Sequence, residues 1–600
     1  MFEKNPEGKP SANERKRSDD LRLIARYWPF VRPDKLWLLL GALAMPLMSL
    51  GGLAQPWLVK EAIDGPITAA LSGKPDATQW RVPEVAAAFL VAVLVEYGSR
   101  GVHLFALQRA GFTSLARLRR AIFGHVLGQG ARFFDSRATG TLLSRTTNDV
   151  DALGEVLTFG IVGVVGDLVD IVAILVAMLA LDLQLTGWSL LVAPAIVLIV
   201  NVFRRQLRKY STDIRRTMAE ASGTFQEALA GAKIVQLHGR QAKTVAEYKQ
   251  ANYKYLQAYH WSNVYDAALY AVMDGVSSLC IALLIWFGGG RALQGAVSVG
   301  LLVAFIQYIQ RVFVPIRELS GKVASIERAL AALERIMGLL DIDERLPAGT
   351  YAPAVVRGEI SFDHVDFSYD GTTPVLRQVT LAVPPGHALA LVGPTGSGKT
   401  TVSKLLTRLY AAPAASVKLD GVPVEQWEIG ALRRAVGVVQ QDVVLFSGTL
   451  GQNVDLGRGL ADEVIEQALR DACLGEVVER LGGIHQEVGE GGSGLSSGER
   501  QLLSIARILA ANPAVVVLDE ATASIDTMTE QKVQAAIERV LAGRTALVVA
   551  HRLSTIRNAN QIAVLRQGEI VELGDHDQLM VHAGLYAELV AAAERQGVMA

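Results

Sequence analysis

Cysteine is almost missing from this 600-residue chain: only Cys280 and Cys473 occur, one in an apolar stretch and one far away in a polar region. That excludes a disulfide framework and a cysteine-built metal cluster. An excess of either charge is missing too. With 58 Lys+Arg against 59 Asp+Glu the chain offers no basic footprint, and no nucleic acid is expected as a partner. Residues 1–20 lack both an apolar core and a cleavage-site pattern, so they read as a polar tail and not as a signal peptide.

Apolar residues are what the chain has in abundance. Half of it is hydrophobic although a fifth is charged, and 600 residues exceed what one core can organise. An apolar half joined to an ordinary soluble half accounts for both. Residues 36–59 carry no charge between Lys35 and Lys60 and are long enough to cross about 30 Å of hydrocarbon. Residues 85–107, 156–181, 183–203, 264–287 and 297–314 repeat the pattern, which makes six spans. Only Asp182 separates the third from the fourth, so these two form a tight external hairpin. Arg109, Arg117, Arg119, Arg120, Arg132, Arg137 and Arg145 crowd the second connection, and Arg204, Arg205, Arg208, Lys209, Arg215 and Arg216 open the fourth. By the positive-inside rule both connections are cytoplasmic, as are the N-terminus and everything after the last span. Ahead of the first span, residues 21–31 mix basic and aromatic side chains, as an interfacial helix on the inner membrane face or a solvated helix would.

The two cytoplasmic connections are too helix-competent for loose loops, so the spanning helices continue beyond the membrane. Arg132, Phe133, Phe134 and Asp135, with Thr139 and Gly140, put aromatics and turn residues at the first tip; residues 223–239, with Glu227 and Gly231, occupy the second. Docking and inter-helix packing both fit. Glu96, Arg100, His103, Asp167, Asp170, Asp274 and Arg311 are ionisable residues within or near apolar spans, where charge is costly unless paired or facing a wet cavity. Glu96 and Arg100, four apart, share a helix face and permit a neutralising pair or a substrate contact; Asp274 has no sequence-near partner and is a cavity or interface candidate.

A soluble amphipathic helix over 317–340 leads into a proline-bearing linker with Pro347 and Pro353, and from Gly358 onward strands and helices alternate. The expected organisation is a tail and interfacial helix at 1–34, a transmembrane domain at 35–325, a linker at 326–357 and an α/β domain at 358–600. Within the last lies Gly393-Pro394-Thr395-Gly396-Ser397-Gly398-Lys399-Thr400, the G-x-x-x-x-G-K-[ST] phosphate loop, between an apolar strand at 388–392 and a helix from Thr401. Downstream, residues 515–518 form a buried-strand run ending in Asp519, suited to hold Mg²⁺, and Glu520, suited to polarise an attacking water.

By these motifs the chain resembles the ATP-binding cassette (ABC) exporters over nearly its whole length. Leu495-Ser496-Ser497-Gly498-Glu499 resembles the family signature, Gln441-Asp442 its Q-loop, Asp526 within Ala523-Ser524-Ile525-Asp526 its D-loop, and His551 its switch histidine; Tyr369 sits where the family stacks an aromatic on adenine. The resemblance implies a membrane all-α transmembrane domain of six helices followed by an α/β P-loop nucleotide-binding domain, working as an ATP-hydrolysing half-transporter in the cell membrane. It implies ATP and Mg²⁺ as cofactors. Two chains would close around two ATP molecules, each held by Tyr369, Gly393, Thr395, Gly396, Ser397, Gly398, Lys399, Thr400 and Thr401 of one chain and by the signature, with Asp526, of the other. Thr400, Gln441 and Asp519 would bind Mg²⁺, and Glu520, His551 and Gln441 would act in hydrolysis. Cargo would be hydrophobic or amphiphilic: a drug, a peptide or a lipid. A lipid flippase is one alternative, and an ATP-gated channel or regulator another, which the intact Glu520 opposes. Ser497 and Glu499 depart from the usual Gly and Gln of the signature while the chain's own phosphate loop is intact. This is similar to the TmrA-type subunit of heterodimeric exporters and favours a heterodimer, with a homodimer as the other arrangement.

Overall fold

Apolar runs become helices at least as long as the hydrocarbon core of a bilayer is thick, about 30 Å. In the computed structural model, which describes residues 12–72, 81–159, 161–440, 443–519, 527–549 and 556–595, the main ones are Lys35–Ala62, Val82–Leu127, Ile161–Leu181, Ala193–Ala230, Gln241–Leu293 and Val299–Leu340. Six helices among the described residues are long and apolar enough to cross a membrane. The 53 residues of Gln241–Leu293 extend about 80 Å at about 1.5 Å per residue, so well over half of that helix projects beyond the hydrocarbon. Helix Ala12–Val31 precedes them, beginning within the stretch that composition marks as tail.

The chain divides into two compact units. One holds Thr139–Ile342 and the described residues up to Leu127; the other holds Gly128–Ala138 and the described residues from Asp343 onward. The short helix Ala131–Asp135, in sequence a connection between spans, thus belongs with the α/β unit.

In the helical unit the third and fourth spans turn at Asp182. Its carboxylate accepts from Leu185 N at 2.8 Å as an N-cap and from Arg291 at 3.2 Å, which is why one polar residue suffices for the hairpin. The first and second spans approach closely at Gly51, where a Cβ would stand 2.8 Å from Glu96 N and 2.9 Å from Ala92 O. One residue on, a Cβ at Gly52 would stand 2.3 Å from Arg311 Nη1. Arg311 donates to Glu96 at 3.0 Å and to Gln55 at 3.1 Å; Glu96 therefore pairs with the sixth span and not with Arg100, its neighbour one turn away. Lys322 pairs with Asp167 at 2.6 Å. Pairing of this kind is what makes charge tolerable at membrane depth.

In the α/β unit a six-stranded sheet runs β12-β11-β3-β10-β9-β6, where β3 is Ala388–Val392, β6 Val436–Val439, β9 Val515–Asp519, β10 Thr545–Val549, β11 Gln561–Arg566 and β12 Glu569–Gly574. All pairings are parallel except β11 with β12. The parallel strands are buried on both faces and accordingly read as unbroken Val/Leu/Ala runs. A second, antiparallel sheet orders β2 (Leu376–Val383), β1 (Ile360–Phe367), β4 (Val417–Leu419) and β5 (Val422–Pro423). The linker is fastened to this unit. Arg408, buried, donates to Trp427 O at 3.0 Å and Pro347 O at 2.6 Å, and Tyr351 N donates to Gln426 O at 2.9 Å.

Candidate functional site

The site is built on β3 and the loop it releases. Leu389, Ala390 and Leu391 are fully buried, and the chain then turns at Gly393 with φ +152°, where a Cβ would lie 2.1 Å from the Leu565 carbonyl oxygen. At Gly398, φ +103°, a Cβ would lie 2.6 Å from Leu376 Cδ2. Only glycine fits either position, so the loop is pressed against neighbouring residues. Helix Lys399–Leu406 begins at once. Lys399 Nζ donates to Gly393 O at 2.7 Å and Pro394 O at 2.9 Å, bridging the loop's own carbonyls. Burial pushes the Lys399 ammonium below its ordinary pKa and Asp519 opposes that shift, so the Asp519 carboxylate acts electrostatically on the loop lysine. Because β3, β10 and β9 are parallel, the loop after β3 and Asp519 at the end of β9 emerge at one edge of the sheet.

Three hydroxyls complete this cradle in different ways. Thr400 is exposed on the first helical turn, and Thr401 shares a 3.0 Å hydrogen bond with Tyr369. Ser397 Oγ is buried with no hydrogen-bond partner among the described residues, an orphan of the kind a bound group satisfies. Thr395 and Gly396 are exposed at the lip. A helix N-terminus, a lysine and two hard oxygen donors in Thr400 and Asp519 make a donor set suited to a polyphosphate with a divalent cation, so the residues fit ATP with Mg²⁺. Tyr369 stands beside the loop, edge-on to Phe367 at 5.0 Å and to Tyr410 at 4.8 Å between centroids.

The segment that resembles the family signature lies at another helix start. Helix Ser497–Ala511 is opened by a capping box: Glu499 N donates to Ser496 Oγ at 3.2 Å and Ser496 N to a Glu499 carboxylate oxygen at 2.8 Å. Arg480 donates to the other Glu499 oxygen at 3.0 Å. Burial alone would raise the Glu499 pKa, but Arg480 and the Ser496 N–H outweigh it and hold the carboxyl below the usual range. Ser496 and Ser497 are exposed and Gly498 is buried. Arg507 ties this helix to the segment after the Q-loop, donating to Asn453 O at 2.6 Å and Val444 O at 2.9 Å.

Gln441, Glu520, Asp526 and His551 lie outside the described residues. Two partners escaped the sequence reading. Tyr410, past the end of helix Lys399–Leu406, donates to Asp135 at 2.5 Å, and Arg137 stacks over the fully buried Phe133 at 4.5 Å while donating to Glu344 at 3.0 Å. Arg480 was missed as well, nineteen positions before the glutamate it neutralises, where no local spacing rule reaches.

Comparison with known proteins accords with this architecture. Residues 38–316 match the family described as the ABC transporter transmembrane region, and residues 376–523 match the ABC transporter family. A probable multidrug resistance ABC transporter ATP-binding/permease protein of Bacillus subtilis, YheH, is 35% identical over 503 residues, covering 83% of this chain and 74% of the relative. An ATP-dependent lipid A-core flippase of Chromohalobacter salexigens is 34% identical over 581 residues, covering 94% of this chain and 97% of the relative. Among solved structures, a bacterial Atm1-family ABC exporter with ATP bound superposes with a TM-score of 0.73 at 29% identity, covering 93% of this chain and 98% of that one. Six membrane-length helices ahead of a single ATP-binding α/β unit, in one chain matched along nearly its full length, identify this multi-pass membrane protein as an ATP-hydrolysing half-transporter of the ABC exporter family.

Proposed function

We propose that the chain exports hydrophobic or amphiphilic compounds, such as drugs, peptides or lipids, from the cytoplasm or inner leaflet, as half of a dimer in the cell membrane with its N-terminus and α/β unit cytoplasmic. The observation that carries this reading is the shared sheet edge on which the Gly393–Lys399 loop and Asp519 meet, in a chain that also has six membrane-length helices. Tyr369 would stack on adenine; Gly393, Thr395, Gly396, Ser397, Gly398, Lys399 and Thr401 would hold the phosphates. Mg²⁺, held by Thr400, Asp519 and Gln441, would neutralise charge on the phosphates. Glu520 would polarise the attacking water and His551 would contact the terminal phosphate. Ser496, Ser497, Gly498 and Glu499, with Asp526, would complete the site of the second subunit. Closure of two such sites would switch the spans from inward-facing to outward-facing, and hydrolysis would reset them.

The second tip supports a partner chain. Ile234 and Leu237, in the short helix Ala232–Leu237, are exposed apolar residues beyond the membrane-length segments, whereas Phe133 at the first tip is fully buried within its own chain. The departures at Ser497 and Glu499 favour a heterodimer; the Arg480 counter-charge on Glu499 favours the second reading, a homodimer whose signature remains competent. The similarity to a lipid A-core flippase favours lipid as one cargo class. The test is transport into inside-out vesicles of a panel of dyes, peptides and lipids. ATP-dependent uptake that disappears in Glu520→Gln, while that variant still binds MgATP, is expected. Undiminished hydrolysis in Glu520→Gln would remove the catalytic assignment, and no uptake of any probe despite active hydrolysis would remove the export reading.

A further inference from the structure

The first, second, third and sixth spans line a cavity of about 540 Å³ whose wall includes acidic and basic side chains. Six ionisable side chains line it: Glu96, Asp167 and Asp170 against Arg100, Arg311 and Lys322. Four of them cancel in pairs, Glu96 with Arg311 at 3.0 Å and Asp167 with Lys322 at 2.6 Å. The remaining two do not meet. Arg100 has no ion pair among the described residues, because Glu96, its neighbour on the same helix face, is held by Arg311 and Gln55. Asp170 likewise has no cation within ion-pair distance among the described residues; its carboxyl is bonded by Ser49 on the first span.

A charge at membrane depth is retained where it faces water or a polar ligand. This cavity therefore presents one basic and one acidic side chain outside its two ion pairs, Arg100 and Asp170. Ser49 and His103 add polar groups, and elsewhere on the wall Met45, Met48, Leu53 and Ile174 contribute side chains that suit a hydrocarbon body, the two methionines adapting to varied shapes. A ligand bearing a single charge would satisfy one of the two residues and leave the other desolvated and unpaired beside it. A ligand bearing both signs satisfies both.

We propose that this cavity binds zwitterionic amphiphiles, the ligand's cationic group meeting Asp170, its anionic group meeting Arg100, and its apolar body lying against the methionine wall. The proposal rests on the reading of the chain as an exporter of amphiphiles and narrows the class of cargo.

The test uses the full-length chain, in the dimer in which it purifies, reconstituted in nanodiscs. Three probes share one twelve-carbon chain and are kept below micelle-forming concentrations: dodecylphosphocholine, dodecyltrimethylammonium and dodecyl phosphate. Equilibrium binding is measured without nucleotide, and stimulation of MgATP hydrolysis is measured in parallel. The zwitterionic probe is expected to bind about tenfold more tightly than either singly charged one, the size of one additional charge contact. Arg100→Gln is expected to abolish the preference over the cationic probe alone, and Asp170→Asn the preference over the anionic probe alone. Equal affinities of the three probes for the unaltered protein would overturn the proposal without recourse to any variant. So would a preference that both variants leave intact. Competition by short-chain diacyl phosphocholine would assign the zwitterion to lipid headgroups, and failure of that lipid to compete would assign it to free amphiphiles; both outcomes uphold the charge pattern. Binding without any hydrolysis would fault the exporter reading and spare the cavity, whereas hydrolysis and transport without charge preference would do the reverse.

Discussion

The Tyr410 hydroxyl donates to the Asp135 carboxylate at 2.5 Å while the Tyr410 ring stands edge-on to Tyr369, the centroids 4.8 Å apart and the planes at 82°. One side chain therefore touches both the proposed adenine-stacking residue and the short helix Ala131–Asp135 that connects two membrane spans. A hydrogen bond to a charged acceptor contributes about 1.5–3 kcal/mol. Tyr410→Phe keeps the ring contact and deletes that bond. If the bond transmits nucleotide binding to the spans, cargo stimulation of hydrolysis should fall about tenfold, the rate equivalent of about 1.4 kcal/mol. ATP affinity, read by equilibrium binding, should stay within about threefold. Unchanged stimulation would show that the contact serves packing alone.

The same residue sets an alkaline limit. Burial first, then the Asp135 carboxylate, push the Tyr410 phenol well above the ordinary tyrosine range. Below about pH 10 the phenol is protonated in folded and unfolded chains alike, and its contribution is complete. Above that the unfolded chain gives up its proton first, so stability falls as pH climbs toward the folded value. Denaturation midpoints between about pH 9 and pH 11 should decline more steeply for the unaltered protein than for Tyr410→Phe. Parallel curves would contradict the assignment.

Local chemistry was legible in the sequence and distant pairing was not. The Gly393–Lys399 loop could be read because its glycines, lysine and hydroxyls are contiguous and each answers a backbone requirement on the spot. The Asp182 hairpin could be read because one polar residue between two apolar runs leaves the chain no other place to turn. Glu96 was a different case: spacing offered Arg100, and the fold delivered Arg311, 215 positions away, because Gly52 leaves room for the guanidinium between two helices. Tyr410 and Asp135, 275 positions apart, carried no signal of each other. The extent of the cytoplasmic helices was legible in outline, but nothing in composition assigned residues 128–138 to the α/β unit.

Gly51 and Gly52 are adjacent, yet alanine should act differently at each. At Gly51 the new Cβ meets backbone, Glu96 N at 2.8 Å and Ala92 O at 2.9 Å, so the first two spans must part. Overpacking of that kind costs about 1–3 kcal/mol, read as a lowered unfolding temperature in detergent. At Gly52 the Cβ meets the end of a flexible side chain, Arg311 Nη1 at 2.3 Å, which can swing away at the expense of its pair with Glu96. The loss at Gly52 should therefore depend on Arg311. In an Arg311→Gln background Gly52→Ala should become nearly neutral while Gly51→Ala keeps its full effect, a non-additivity that a double-mutant cycle measures. Additive effects at Gly52 would mean that the guanidinium is not what occupies that space.

Glu499 separates the structural from the electrostatic role of a signature residue. Glutamine can keep the capping box with Ser496 but not the ion pair with Arg480, whereas alanine loses both. Glu499→Gln should thus change stability by less than about 1 kcal/mol, since Arg480 is half exposed and such pairs contribute little, and Glu499→Ala should cost about 1 kcal/mol more for the lost cap. The pH dependence has a fixed sign. Because the folded carboxyl is held below its ordinary value, its contribution is complete above about pH 4.3 and is lost as pH falls through the folded value; the Gln variant should lack that step. Function follows from the counter-charge. If Glu499 faces a partner's nucleotide as proposed, the Arg480 cation leaves it little net charge to present, so Glu499→Gln should alter hydrolysis by the chain purified alone less than about twofold, whereas Arg480→Ala, which strips the carboxylate of that cation, should depress it about tenfold. A stable dimer of the chain alone that hydrolyses ATP and obeys this order would support the homodimer. A large gain from Glu499→Gln would instead mark the signature as handicapped, the condition that a heterodimer is built to accommodate.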